Sequence, residues 1–100
     1  MSFASDLSAK TVTASGDAVN GRTRVQGVYF TTTGTGSSFT LKTGGSSGTV
    51  LLSLTTPAAA GAHDLIIPDD GILFKDGVYV DLADVNVTSV TVLFVGGAAA

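Results

Sequence analysis

The feature that most constrains the fold of this 100-residue chain is its supply of β-branched side chains. The sequence contains 12 Val, 3 Ile and 14 Thr, whereas Glu is absent and Gln occurs once. β-branched side chains are conformationally restricted in helices and pack well on pleated sheets. The composition therefore excludes a helical bundle or coiled coil and predicts an all-β protein.

Segments of alternating apolar and polar residues recur along the chain, and turn signals separate them at short intervals. This spacing is typical of an all-β sandwich or barrel. We expect a two-sheet antiparallel β-sandwich, jelly-roll or Ig-like, with seven to eight strands. The predicted strands cover residues 9–15, 22–32, 39–42, 49–55, 64–67, 72–74, 78–82 and 87–95.

One domain accounts for residues 1–95, because a chain of this length forms a single hydrophobic core. Residues 16–21 are predicted to be a loop between the first two strands. Residues 96–100, which are only Gly and Ala, are predicted to form a flexible small-residue tail or to fill a narrow groove on a partner.

The alternation in the strand at residues 22–32 changes phase at Gly27. Arg22 and Arg24 share one parity, and after Gly27 the apolar residues Val28 and Phe30 occupy that same parity. A phase change at a glycine indicates a β-bulge. A strand buried on both faces would explain the pattern equally well.

Two hairpins are expected. Residues 31–49 are rich in Ser, Thr and Gly, which is compatible with disorder, but Phe39 and Leu41 share a face and favour a hairpin with a loop at residues 44–48. The dipeptide Asp76-Gly77 predicts a two-residue hairpin turn between residues 72–74 and 78–82.

The core between the sheets is predicted from the apolar residues that share one parity on their strands. The predicted core residues are Val28, Phe30, Val50, Leu52, Leu54, Ile72, Phe74, Val78, Val80, Leu82, Val90, Val92 and Phe94.

Charge argues against a nucleic-acid partner. The net charge is −3 and the isoelectric point is about 4.5, whereas nucleic-acid affinity depends mainly on basic patches. Residues 1–50 carry a net charge of +2 and residues 51–100 carry −5. This asymmetry is either a chance feature of the surface or a sign of complementary edges between neighbouring copies.

Catalytic motifs are weak in this sequence. Cys is absent and His63 is the only histidine, and no Gly-x-Ser-x-Gly elbow surrounds any serine. His63 and Asp64 are adjacent and point to opposite faces of a strand, so Asp64 cannot easily orient the imidazole. We therefore expect no enzyme and no catalytic residue.

Aspartates in predicted loops raise the question of a calcium site. Asp69, Asp70, Asp81 and Asp84 lie in or beside turns, where Asp also occurs simply because it caps backbone N–H groups. Their spacing matches no EF-hand loop.

The glycine-rich run at residues 34–48 lacks the Gly-Lys-Ser/Thr ending of a phosphate loop. No cofactor-binding or metal-binding residue is predicted.

A membrane location is not expected. The first six residues lack the basic start and the apolar stretch of a signal peptide. The longest apolar runs, such as residues 92–95, are far too short to span a bilayer.

Short phrases of the chain resemble small structural proteins of tailed bacteriophages. They are RVQGVYF at residues 24–30, the Ser/Thr/Gly-rich hairpin after it, and IIPDDGILFKDGVYVDL at residues 66–82. The resemblance covers roughly residues 22–95. It implies a β-rich virion component on the phage head, made in the host cytoplasm. Decoration or cement proteins of this kind bridge major capsid subunits, often as trimers.

These observations give a functional expectation with one rival. The chain is expected to be a capsid decoration protein on the exterior of the phage head, and its partners are the major capsid protein and copies of itself, most simply in a trimer. The alternative is a head-fibre or tail adhesin domain that binds host surface glycans. In that case Tyr79 and the Asp69-Asp70 turn are the first candidates for the binding residues.

Overall fold

A computed structural model describes residues 7–68 and 71–100, and this part of the chain contains eight strands and no helix. The strands are β1 (Ser8–Val12), β2 (Gly16–Thr32), β3 (Ser38–Thr43), β4 (Thr49–Thr55), β5 (Gly61–Ile66), β6 (Ile72–Phe74), β7 (Val78–Leu82) and β8 (Val87–Ala99). Their pairings are all antiparallel. The predicted all-β class and strand number are confirmed.

The hydrogen-bonded order of the sheet is β1-β8-β2-β7-β3-β4, and β5 and β6 pair with β2. Strand β7, which separates β2 from β3, pairs with β2 only between Gly16 and Val19, so in a flat sheet Phe30 would lie roughly 35 Å or more from β3. The ring centroids of Phe30 on β2 and Phe39 on β3 are nevertheless only 5.1 Å apart. The sheet therefore folds back into the expected two-layer sandwich, although one continuous path of strand pairs connects the layers.

Strand β2 organises both layers because it has partners along most of both edges. One edge pairs with β8 between Val19 and Thr32. The other edge pairs in turn with β5, β6 and β7, which run one after another along it.

This arrangement corrects the predicted hairpin at Asp76-Gly77, since β6 and β7 pair with β2 and not with each other. Gly77 has the positive φ, +88°, that the turn requires. A Cβ at this position would lie 2.5 Å from the Val19 carbonyl oxygen. The turn is thus a break in a strand that keeps its direction along β2.

The predicted bulge near Gly27 is confirmed. The register between β2 and β8 shifts between Val25 and Gly27, and Val25, Val28 and Phe30 are all buried while Tyr29 is exposed. The bulge lets apolar residues of both parities face the core, so the alternative of a strand buried on both faces is not needed.

The β3–β4 hairpin also forms as predicted, with Phe39 and Leu41 buried. One predicted core residue of this hairpin is wrong: Val50 is 46% exposed. The register shifts so that Lys42 pairs with Val50, and Leu51 has no Cα partner on β3. This second bulge reverses the facing of β4 and turns Val50 outward.

Two predicted irregular segments belong to strands instead. Residues 16–21 begin β2, and the predicted tail extends β8 to Ala99. In this extension Gly96 pairs with Thr23 and Ala99 pairs with Val19. The assignment of residues 96–100 as a tail outside the domain is therefore wrong. Residues of low β propensity form strands here because β2 supplies a partner edge.

The core confirms most of the predicted set. Val28, Phe30, Phe74, Val78, Val80, Val90, Val92 and Phe94 are buried, and Leu52, Leu54, Ile72 and Leu82 are partly buried against them. The core also contains residues outside the predicted set, namely Ala18 and Val19 from the predicted loop, and Val25, Phe39, Leu41 and Val87, which have the opposite parity.

We predict that Gly97→Ala destabilises the fold by roughly 2–4 kcal/mol. Gly97 has a φ of +67°, and a Cβ there would lie 2.3 Å from Thr23 Oγ1 and 2.7 Å from Val19 Cγ1. Urea unfolding measures the effect. Gly34→Ala is the matched control, since a Cβ at Gly34 meets no atom within 4 Å. Equal stability of the two variants would show that the end of β8 is not packed against β2.

Candidate interaction surface

The only histidine packs against the core edge, and no carboxylate of the described residues contacts it. His63 on β5 pairs with Phe30, and the two rings have centroids 5.4 Å apart. Its Nε2 lies 3.4 Å from the Ala59 carbonyl oxygen. Asp64 is the Cα partner of Tyr29, and both are exposed while Phe30 is buried. His63 and Asp64 therefore point to opposite faces of β5, as the sequence predicted.

The candidate aspartates among the described residues, Asp81 and Asp84, do not converge on one site. Asp81 Oδ2 accepts a hydrogen bond from Lys42 Nζ at 2.9 Å, which is a salt bridge between the basic and acidic halves of the chain. Asp84 lies in the loop after β7 and contacts Ser37. Asp69 and Asp70 lie outside the described residues. Within residues 7–68 and 71–100, no three His, Cys, Asp or Glu side chains are grouped to hold a metal ion.

A shallow depression of about 400 Å³ lies at the end of the sandwich where Asp84 is found. Thr13 and Ser15 from the β1–β2 loop line it, together with Leu82 and Val85. The Ser15 hydroxyl accepts a hydrogen bond from the Leu82 backbone N–H at 2.9 Å, which connects the β1–β2 loop to the end of β7.

The Asp84 carboxylate organises the β7–β8 loop. Its Oδ1 accepts hydrogen bonds of 2.8 Å from the Asn86 backbone N–H and from the Ser37 hydroxyl. These two bonds, the Asn86 backbone one first, hold the pKa of Asp84 below its ordinary value of 3.8. Hydrogen bonds to the ionised form favour that form. Asp84 therefore acts as a loop anchor.

The layer that contains β1, β8, β2 and β5 presents an outer face to solvent. We define this outer face by the side chains that the strand register places opposite one another on the solvent side. They include Thr11, Arg24, Tyr29, Thr31, Asp64, Ile66, Ser89, Thr91, Leu93 and Val95.

The centre of the outer face is apolar because Gly27 leaves room for its neighbours. Ile66 and Leu93 are the Cα partners of Gly27 on its two sides. A Cβ at Gly27 would lie 3.3 Å from Leu93 Cδ1 and 3.5 Å from Ile66 Cδ1. Ile66 is 62% exposed and Tyr29, in the next row, is 47% exposed. Because Gly27 has no side chain, Ile66 and Leu93 pack over it and form an apolar surface at the centre of the outer face.

Short hydroxyl side chains surround this apolar centre. Thr11 and Thr91 hydroxyls lie 2.7 Å apart, and the Thr31 hydroxyl contacts those of Thr88 and Ser89. Short side chains lose little rotamer entropy on burial. An apolar and aromatic centre inside a polar rim is the usual composition of a protein–protein contact.

Tyr79, a candidate of the glycan-binding alternative, is the second residue of β7. Its Cα partners are Asp17 on β2 and Lys42 on β3, and it is half-buried. Both tyrosines therefore lie on sheet faces and not at a loop end.

Sequence reasoning found only part of the outer face. The alternation on β8 placed Thr91 and Leu93 opposite the core. The contribution of Ile66 was missed, since nothing in the sequence of β5 indicates that it pairs next to Gly27. The signal that could have found it is the glycine itself, which in a strand often marks a close approach.

Comparison with known proteins identifies no relative: no family model, no curated protein and no solved structure matches the chain. The part of the chain that the structure describes also contains no helix long and apolar enough to cross a membrane.

We predict that Asp84→Ala lowers stability at neutral pH and that the difference from the parent protein disappears in acid. A carboxyl whose pKa is lower in the folded state contributes stability above its unfolded-state pKa, near 4, and loses it as the pH falls through the folded-state pKa. Urea unfolding at pH 7 and at pH 2 measures this. Asp64→Ala, at an exposed position on β5, is the control. A difference that persists unchanged at pH 2 would rule out the charge as its cause.

Proposed function

We propose that this chain is a structural protein of a tailed-bacteriophage virion, namely a capsid decoration (cement) protein. In this role it lies on the exterior of the phage head and bridges neighbouring major capsid subunits. The single observation that carries the proposal is the outer face, in whose apolar centre Ile66 and Tyr29 are exposed and Leu93 is half-buried. The phage resemblance of residues 22–95 gives the kind of partner.

The composition of the outer face supports contact with protein. Tyrosine is enriched at protein interfaces, and charged residues are depleted in their centres. On the outer face Asp64 lies beside Tyr29 and Arg24 lies beyond Gly27, whereas hydroxyl and apolar side chains occupy the other positions. Such a surface packs on another protein without burying many charges, which are costly to desolvate.

Repetition strengthens weak contacts on a capsid. One copy of a small domain offers a modest contact area, but a shell presents the same site many times. A protein that binds two neighbouring subunits at once benefits from the high effective concentration of the second site. Bridging therefore stabilises the shell even when each separate contact is weak.

We predict that phage heads lacking this protein lose their genome at a lower temperature, or at a lower salt concentration, than heads that carry it. The protein cross-links subunits that must separate before the genome escapes. Release of DNA on heating, followed with a fluorescent dye, measures the effect. Heads of equal stability with and without the protein would contradict the cement role.

The contact surface is tested with a matched pair of variants. Ile66→Asp places a charge in the centre of the outer face and is expected to weaken binding to heads by roughly tenfold or more. Val85→Asp makes the same change at a loop residue that is 86% exposed and is expected to leave binding unchanged. Equal binding by both variants would place the contact elsewhere.

The rival function, glycan binding by a fibre or tail domain, is separated by a direct assay. Binding of the isolated protein to a glycan array, lost in Tyr79→Ala, would replace the cement proposal. Both Tyr29 and Tyr79 lie within strands, which favours a flat protein contact over a loop-end glycan site.

A further inference from the structure

The strand at one end of the sheet has a hydrogen-bonding edge without a partner among the described residues. Strand β4 pairs with β3 and with no other described strand. Unpaired strand edges are templates for pairing with another chain, and proteins commonly block them with charged residues. The presence or absence of charged residues in each strand with a single partner therefore indicates whether its open edge is protected against pairing with another chain.

Strand β4 lacks the charges that β1 and β5 carry, and the other uncharged strand with a single partner, β6, has only three residues. β1 contains Lys10 and β5 contains Asp64, whereas the sequence of β4 is TVLLSLT. Val50 and Leu51 are 46% and 37% exposed. An uncharged, apolar strand can meet its own copy without like-charge repulsion.

The core is incomplete next to this edge. Leu52 and Leu54 face Leu41 and Phe39, yet they are only partly buried, while those two β3 residues are fully buried. A strand added beside β4 would cover the exposed parts of both leucines. The edge thus lacks both a hydrogen-bonding partner and an apolar one.

The register shows which backbone groups are free. The Thr56 backbone N–H donates to the Ser37 carbonyl, and the pairing continues with Ser38 opposite Thr55. Hydrogen-bonded pairs alternate along an antiparallel ladder. The backbone N–H and C=O groups of Leu52 and Leu54 therefore point toward β3, and those of Ser53 and Thr55 point toward the open edge of β4.

We propose that β4 pairs antiparallel with β4 of a second copy of this chain, across a two-fold axis at Ser53. In this register Ser53 pairs with Ser53 of the second copy, through the backbone N–H and C=O groups that point toward the open edge. Leu52 faces Leu54 of the second copy on the core side, and the reverse pair forms on the other side of the axis. The two hydrophobic cores then become continuous.

The bulge at Leu51 explains why the pairing is centred at Ser53. A register centred at Leu52 would set Val50, which faces outward, against the inward-facing Leu54 of the second copy. Centring at Ser53 uses the regular part of β4 and keeps the leucines on one face. The contact is short, so we expect a dissociation constant that is roughly micromolar.

This inference goes beyond the capsid proposal and is tested separately from it. A two-fold contact uses the same surface on both copies and predicts a dimer, not the trimer that the phage resemblance implies. The experiment uses the isolated protein, so its outcome does not depend on whether the chain binds phage heads.

The test is a charge exchange at the two-fold axis, measured by sedimentation equilibrium. Ser53 is exposed, so both Ser53→Lys and Ser53→Asp leave the core intact. Each variant alone brings like charges together and is expected to dimerise at least tenfold more weakly than the parent. An equimolar mixture brings opposite charges together and is expected to restore dimers.

Ala9→Lys is the matched control, because it adds the same charge at an exposed position on β1. It is expected to leave the dimerisation constant unchanged. The inference is overturned if the parent protein stays monomeric at millimolar concentration or forms trimers. It is also overturned if Ser53→Lys dimerises like the parent, or if the mixture of the two Ser53 variants stays monomeric.

Discussion

The long antiparallel pairing of β2 with β8 is the constraint on which the rest of the structure depends. It runs from Val19 to Thr32 on β2, and the opposite edge of the same strand carries β5, β6 and β7 in succession. A straight strand of 17 residues within one layer would be longer than a domain of this size. The bulges along β2 add twist, so that the sheet folds onto itself and Phe30 reaches Phe39.

Local sequence signals predicted the elements better than they predicted their partners. The phase change at Gly27 identified a bulge because the alternation itself was interrupted at a glycine. The bulge at Leu51 had no such signal, since T-V-L-L-S-L-T alternates acceptably in either facing, and Val50 was assigned to the core for that reason. A bulge without a glycine is set by the partner strand and not by the bulged residues.

The same distinction explains why the hairpin predicted at Asp76-Gly77 and the tail predicted at residues 96–100 were wrong. The turn chemistry of Asp76-Gly77 was interpreted correctly, because Gly77 does adopt a positive φ. What a two-residue signal does not contain is whether the flanking strands pair with each other or with a third strand. Likewise the Gly/Ala end of β8 has low strand propensity, and it is ordered by the edge of β2 and by the space beside Thr23 that only a glycine fits.

The candidate site follows this rule too, since its Thr and Ser rim was visible in the alternation while its apolar centre required the register of three strands. The outer face belongs to β1, β8, β2 and β5, whereas β4 is at the far end of the sheet order. A contact on the face buries side chains, and a contact on the edge satisfies backbone groups, so the two do not compete for the same atoms. One small β domain can in this way hold a copy of itself at its edge while its face remains open to a different protein.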